Sequence, residues 1–171
     1  MRFGKMNGPF EIPADGFLSR KAAHMEFSQE VVIDAPRQKV WDFIWNVEEF
    51  ASCVPGVTQV ERVDEERFRV RVEQKIGFLK ATFHLNIEIQ EKRAPEYIRT
   101  SGEGADSQIA ASLKQRNEVT LEALSESQTK MSIRSSVDIF GKLGSLGFSV
   151  IKNQANKIFA EFAQRVKARL E

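Results

Sequence analysis

Residues 131–170 read MSIRSSVDIFGKLGSLGFSVIKNQANKIFAEFAQRVKARL, and a change of period inside this stretch decides the fold. Up to Phe140 the period is two. Met131, Ile133, Val137 and Ile139 alternate with Lys130, Arg134 and Asp138, the pattern of an antiparallel strand with one face on a core and one in water. Past Gly141 the period becomes 3.6. Gly147, Ile151, Ala155, Ile158, Phe159, Phe162, Val166 and Leu170 form one stripe of a helix about seven turns long. Lys152, Asn153, Asn156, Lys157, Gln164 and Lys167 fall opposite. A helix so apolar on one side must lie against a sheet.

Working back from this junction, the two-residue period recurs. Leu113, Val119, Leu121 and Ala123 alternate with Lys114, Thr120 and Glu122. Phe83, Leu85, Ile87 and Ile89 alternate with Thr82, His84, Asn86 and Glu88, and Phe68, Val70 and Val72 with Arg67, Arg69, Arg71 and Glu73. Tyr97–Gly104 is a weaker strand. Turns fall at Asp64-Glu65-Glu66, Gly77, Ala94-Pro95 and Ser125–Gln128. The β-branched segment Glu26–Asp34 is a strand ahead of Ala35-Pro36, and Pro36 suits a helix start. Val40, Trp41, Ile44, Trp45 and Val47 then follow at helical spacing; a further turn at Glu48–Ser52 stops at Pro55-Gly56. Strand, two short helices, about six strands and one long C-terminal helix make an α+β domain, an antiparallel sheet curved around the last helix. The domain spans residues 25–171. Residues 1–24 read as a leader of scattered Phe, Gly, Pro and charges, with Met25 as an alternative start.

The 171 residues suffice for one core, burying roughly 70% of the unfolded surface. Lys and Arg number 25 against 24 Asp and Glu, so no basic footprint for nucleic acid exists. Cys53 is the only cysteine, which excludes an internal disulfide and a Cys-rich metal site and suits the reducing cytoplasm. No run approaches the ~20 apolar residues of a membrane span.

Catalytic constellations are scarce. His24 lies in the leader segment, and His84 alternates out of phase with its strand's apolar face and should look to water. Gly141-Lys-Leu-Gly-Ser-Leu-Gly147 lacks the GK[ST] ending of a phosphate loop, so its small residues read as close packing of the helix start on the sheet. Strand parity turns Gln115 and Asn117 inward, where an unpaired amide costs ~1–3 kcal/mol. Either a ligand, a water or a neighbour satisfies them, or a bulge shifts the register. Thirteen Phe dominate the aromatics, and Phe83, Phe140, Phe148 and Phe159 lie where a sheet–helix grip would fill its core or hold a hydrophobic ligand. The last helix carries Lys142, Lys152, Lys157, Arg165, Lys167 and Arg169 against Glu161 and Glu171, read as a solvated face because its apolar stripe is needed by the sheet.

Val31-Val-Ile-Asp-Ala-Pro-Arg-Gln-Lys-Val-Trp-Asp-Phe-Ile44 resembles the opening strand and helix of the START-like superfamily of helix-grip binders. Four stretches are similar to its carbon monoxide dehydrogenase G-subunit branch. These are Phe50-Ala-Ser-Cys-Val-Pro-Gly56, Ile76-Gly-Phe-Leu-Lys-Ala-Thr-Phe83, Thr100-Ser-Gly-Glu-Gly104 and Val137-Asp-Ile-Phe-Gly-Lys-Leu-Gly-Ser-Leu-Gly147. The resemblance implies a seven-stranded sheet wrapped round a long C-terminal helix with an internal hydrophobic cavity. It also implies association with a molybdenum hydroxylase of the carbon monoxide dehydrogenase type, in maturation or membrane recruitment, and a lipid-like cargo such as a quinone. Many family members continue into a linker and a membrane-binding tail. Here the expectation is weak, salt-sensitive contact at the inner face of the cytoplasmic membrane.

The reading is a cytoplasmic, non-catalytic carrier of a small hydrophobic molecule, with no cofactor beyond a bound lipid or quinone. The expected lining is Trp41, Phe83, Leu85, Ile87, Leu113, Gln115, Asn117, Phe140, Phe148, Ile151 and Ala155, with no metal ligands. Alternatives are an assembly or recruitment factor acting through its surface, and a cyclase- or hydrolase-like enzyme using the same cavity.

Overall fold

In the computed structural model, which describes residues 23–171, each alternating run becomes a strand of one antiparallel sheet. The strands are β1 (Ala23–Ile33), β2 (Val57–Arg62), β3 (Arg67–Ile76), β4 (Leu79–Arg93), β5 (Tyr97–Asp106), β6 (Ala111–Ser125) and β7 (Gln128–Gly141). Their spatial order is β1-β7-β6-β5-β4-β3-β2. Helices α1 (Arg37–Trp45) and α2 (Val47–Ser52) carry the chain from the β1 edge to the β2 edge. A 3-10 turn (Lys142–Leu146) leads into the long helix α3 (Phe148–Leu170).

The sheet therefore has two ends. The β3–β4 and β5–β6 connections and the start of α3 lie at one, called the upper end. The β2–β3, β4–β5 and β6–β7 turns and the exit from β1 lie at the lower end. Two glycines make turns that no other residue fits. Gly56 has φ +89°, and a Cβ there would sit 2.2 Å from the Glu73 carbonyl oxygen. Gly141 has φ +79°, and a Cβ would meet the Ala110 oxygen at 2.0 Å. Close packing thus explains Gly141 but not Gly147, whose Cβ would meet open space and whose requirement is its φ of +93°.

The first strand begins earlier than expected. Ala23 and His24 belong to β1 and pair with Ile139 and Asp138, so His24 is a strand residue rather than part of a leader. The rest of the expected leader, residues 1–22, lies outside the described residues. Helix α1 buries Val40, Trp41, Phe43 and Ile44, whereas Trp45 is only half-buried. Spacing alone passed over Phe43 because α1 packs on two sides: Phe43 meets Phe50 of α2 edge-on, with centroids 5.9 Å apart.

The core is divided. A lower cluster joins Ile33, Val40, Trp41, Leu121, Met131, Phe162, Val166 and Leu170; an upper cluster joins Met25, Phe68, Val70, Phe83, Leu85, Ile139, Leu143 and Ile151. Helix α3 enters the upper cluster through Ile151 and the lower through Phe162 and beyond. Its C-terminus is tied down by Lys39 Nζ donating to the Leu170 carbonyl at 3.0 Å. The Glu171 carboxylate accepts from the Asp34 amide at 2.8 Å, and Arg169 reaches Glu49 at 3.3 Å.

Candidate functional site: the inner sheet face beneath the long helix

Between the two clusters the inward-facing side chains are not fully covered. Along α3, Ile151 and Phe162 are buried, but Gln154, Ala155, Ile158 and Phe159 between them are half-buried. The expectation that Ala155, Ile158 and Phe159 are mostly buried is thereby corrected. The reason is geometric: the closest backbone approaches of α3 to the sheet are to β1 and β3, not to the central strands β4–β7. The facing side chains match. Phe27, Val72, Ile87, Ile89, Leu113, Gln115, Asn117, Val119 and Val137 all point inward by register, and all are half-buried.

The polar residues of this face follow from the register. Ile87, Gly102, Gln115 and Val137 form one cross-strand row, and Ile89, Thr100, Asn117 and Ser135 the next. Pairing on both sides of β6 runs unbroken through Gln115 and Asn117, so no bulge turns them away. Asn117 Oδ1 accepts from Ser135 Oγ at 2.6 Å. The Gln115 amide lies over Gly102, where a Cβ would come within 3.1 Å of Nε2. Opposite, Gln29 of β1 donates to Asn156 of α3 at 3.3 Å. Gln154 donates to Gln74 Oε1 at 3.0 Å, and Gln74 in turn donates to the Pro55 carbonyl at 2.6 Å. Thr100 and Ser135 were missed in the sequence, although both stand in phase with apolar neighbours, Ile98 and Ile133. Gln115 and Asn117 were noticed by that same rule.

The predicted lining residues divide accordingly. Ile87, Leu113, Gln115, Asn117 and Ala155 gather around the half-buried middle. Phe83, Leu85 and Ile151 are buried in the upper cluster, and Trp41 in the lower cluster against its neighbour Trp45. Two residues stand elsewhere. Phe140 pairs with Ser112 on the opposite face of the sheet from Ile139, because strand parity separates neighbours. Phe148, on the first turn of α3, is 55% exposed.

Chemically, the middle of this face offers aliphatic walls with uncharged amides and hydroxyls. The buried acid Asp106 is committed to structure, accepting from the Thr82 amide at 2.6 Å and the Gln108 amide at 2.8 Å. Cys53 is buried in the lower cluster, where desolvation pushes its thiol pKa up despite Arg169 nearby. His84, on the outer face, is half-buried rather than turned fully to water. Among the described residues no group of three His, Cys, Asp or Glu could hold a metal ion. No helix there is long and apolar enough to cross a membrane. The outer face carries an open groove of about 790 Å³ across β3 to β7, whose charges, among them Arg67, Arg69, Glu88, Glu103, Arg116 and Asp138, have both signs.

Comparison with solved structures supports the architecture. A conserved protein from Geobacillus kaustophilus superposes with a TM-score of 0.78 at 14% identity, covering 85% of this chain and 95% of that one. A START superfamily protein from Mycobacterium smegmatis gives 0.64 at 12% identity, covering 86% and 97%. The Zhui aromatase/cyclase from Streptomyces sp. R1128 gives 0.61 at 13% identity, covering 86% and 94%. At such identities the likeness establishes a helix-grip fold and no activity. A search of curated proteins found no match. The family model for the carbon monoxide dehydrogenase G-subunit (CoxG) matches residues 30–171, from the middle of β1 to the last residue, and the chain belongs to that family.

Proposed function

We propose that this protein is a non-catalytic carrier that holds a small hydrophobic molecule, a lipid or a quinone, between α3 and the inner face of the central strands. The observation that carries the reading is the divided core. Apolar side chains facing each other across the middle of α3 are left half-buried, although the clusters above and below are packed. Leaving such surface uncovered forfeits about 25 cal/mol per Å², which a bound apolar molecule would restore. The Gln115 amide and the Asn117–Ser135 pair supply the few polar groups that orient a ligand in an otherwise apolar site. Membership of the CoxG family supports a molybdenum hydroxylase of the carbon monoxide dehydrogenase type as the partner. The absence of an acid–base pair from the described middle of this face supports an accessory role over catalysis. The protein would work in the cytoplasm and meet its cargo at the inner membrane face.

A second reading, an assembly factor acting through its surface, is favoured by the charged outer groove. Native mass spectrometry and solvent extraction of the protein from its own host separate the two. A stoichiometric lipophilic molecule supports the carrier. An empty protein co-purifying with a dehydrogenase supports docking.

A further inference from the structure

The upper end of the molecule concentrates exposed aromatic surface. Phe78, at the tip of the β3–β4 hairpin, is 80% exposed, and Phe148, on the first turn of α3, 55%. Val150 is also exposed, and the half-buried Leu146 adjoins it. These residues form one tip rather than scattered points: a Cβ on Gly77 would lie 3.4 Å from Val150 Cγ1 and 4.0 Å from Leu146 Cδ1. Two projecting phenylalanines on a hairpin tip and a helix start do nothing for the core, and their exposure is unfavourable in water.

Among the described residues, the charge in the connections that build the tip has one sign. Segments 75–80, 106–111 and 141–152, which build the upper end, contain Lys75, Lys80, Lys142 and Lys152. All four are exposed, and Lys152 Nζ stands 5.6 Å above the Phe148 ring. Their one acid is Asp106, buried and held by two backbone amides. The exposed aromatics of the tip therefore stand among exposed lysines.

We propose that the upper end is a membrane-docking tip, in which Phe78 and Phe148 enter the headgroup–acyl boundary of an anionic bilayer while the four lysines contact lipid phosphates. Aromatic side chains flanked by Lys suit that boundary, where an apolar body and a surrounding positive charge are both satisfied. The helix start helps, because α3 has no side-chain cap and its first amides and dipole face the same phosphates. This differs from an amphipathic helix lying on the membrane, since the apolar stripe of α3 stays with the sheet. Docking in this orientation would place the junction of the β3–β4 hairpin and α3, the upper edge of the proposed cargo site, against the lipid.

The test is flotation of the full chain, without cargo, with phosphatidylcholine vesicles made with and without phosphatidylglycerol. The expected result is binding to the anionic vesicles that weakens with salt. Phe78→Ala together with Phe148→Ala should lower the partition coefficient at least about tenfold, and Phe78→Trp should keep it. Each of Lys75→Gln, Lys80→Gln, Lys142→Gln and Lys152→Gln should cost about fivefold at low salt. Melting temperatures confirm that the variants fold. Failure of the wild type to bind anionic vesicles, or undiminished binding by the double Phe variant, would overturn the proposal; the second outcome would place the contact elsewhere, or mark the tip as a protein-docking surface. Because no cargo is involved, either failure leaves the carrier reading standing, and an empty protein on extraction leaves the tip standing.

Discussion

Truncating two phenylalanines on the same helix face, one at a time, measures how α3 is held. Phe162 is 5% exposed, meets Phe50 edge-on with centroids 5.5 Å apart, and sits among Val40, Leu121 and Val166. Phe162→Ala removes a buried ring and leaves a cavity, a loss of ~3–5 kcal/mol that includes an aromatic pair worth about 1. Phe159 lies one turn earlier, 6.1 Å from Phe162 by centroid, but is half-buried at the edge of that cluster. With about half the transfer term and little new cavity, Phe159→Ala should cost ~1–2 kcal/mol. For a chain of 171 residues, each kcal/mol shifts Tm by about 2–4 °C. Urea unfolding followed by circular dichroism should show both losses at an unchanged m-value. If Phe159→Ala costs as much as Phe162→Ala, the helix is gripped along its whole length and no room is left for a cargo. A second reading comes from the same variants: the stabilisation conferred by added quinone should shrink in Phe159→Ala and persist in Phe162→Ala.

Gln115→Leu should weaken binding of a carbonyl-bearing cargo by about 1 kcal/mol in a fluorescence titration without loss of stability, because Asn117 is already engaged by Ser135. An unchanged affinity would remove Gln115 from the site. Gly141→Ala should destabilise by ~3 kcal/mol or more in urea, since strain at φ +79° adds to a clash with the Ala110 oxygen. Gly147→Ala, with open space around it, should cost only the strain, ~1–3 kcal/mol, and equal losses would refute the distinction. His24 donates to Asp138 at 2.6 Å, and that hydrogen bond, followed by the carboxylate's charge, raises its pKa above the ordinary value near 6.5. The pair's stabilisation is complete below the unfolded pKa and disappears as pH rises through the raised folded one. An NMR titration should find the imidazole of His24 back near its ordinary value in Asp138→Asn, and no change there would refute the pairing.

Strand and helix were readable because each has one face in water, so the period of apolar residues betrays it. Strands β3, β4, β6 and β7 and helix α3 follow from that rule, with boundaries a few residues from the reading, whereas β2, whose Val57 and Val60 lie three apart with no alternation, is not legible by it. The site was harder because parity gives the face of a residue but not what lies across from it. Gln115 and Asn117 were placed correctly on the inner face by parity, yet that Asn117 meets Ser135 depends on register between β6 and β7. Phe140 shows the opposite error: an aromatic next to Ile139 looked like lining, although adjacent strand residues face opposite ways. The half-buried middle of α3 could not be seen at all, because a helix stripe has the same pattern whether the sheet is close or stands off.

The divided core also explains how one chain can be stable while side chains at its centre stay only half-buried. Helix α3 is anchored where it meets packed surface, by Ile151 above and by Phe162, Val166 and Leu170 below. Its last turn is fastened to α1 and α2 through Lys39, Arg169 and Glu171. Two anchored ends make the stretch between them a beam whose position does not depend on what lies beneath it, so Ala155 and Ile158 need no partners for the fold to persist. A cargo would then add stability that grows with the logarithm of its concentration over its Kd, without having to organise the protein first. That arrangement favours a site largely preformed before binding and lowers the ordering cost of loading. It also predicts where loading has to begin. The lower anchor is dense and locked by ion pairs and carbonyl contacts. The upper anchor rests on Ile151 near the glycine turn of the hairpin tip, so the upper end, with Phe78 at its edge, is where the helix and sheet can part at least cost.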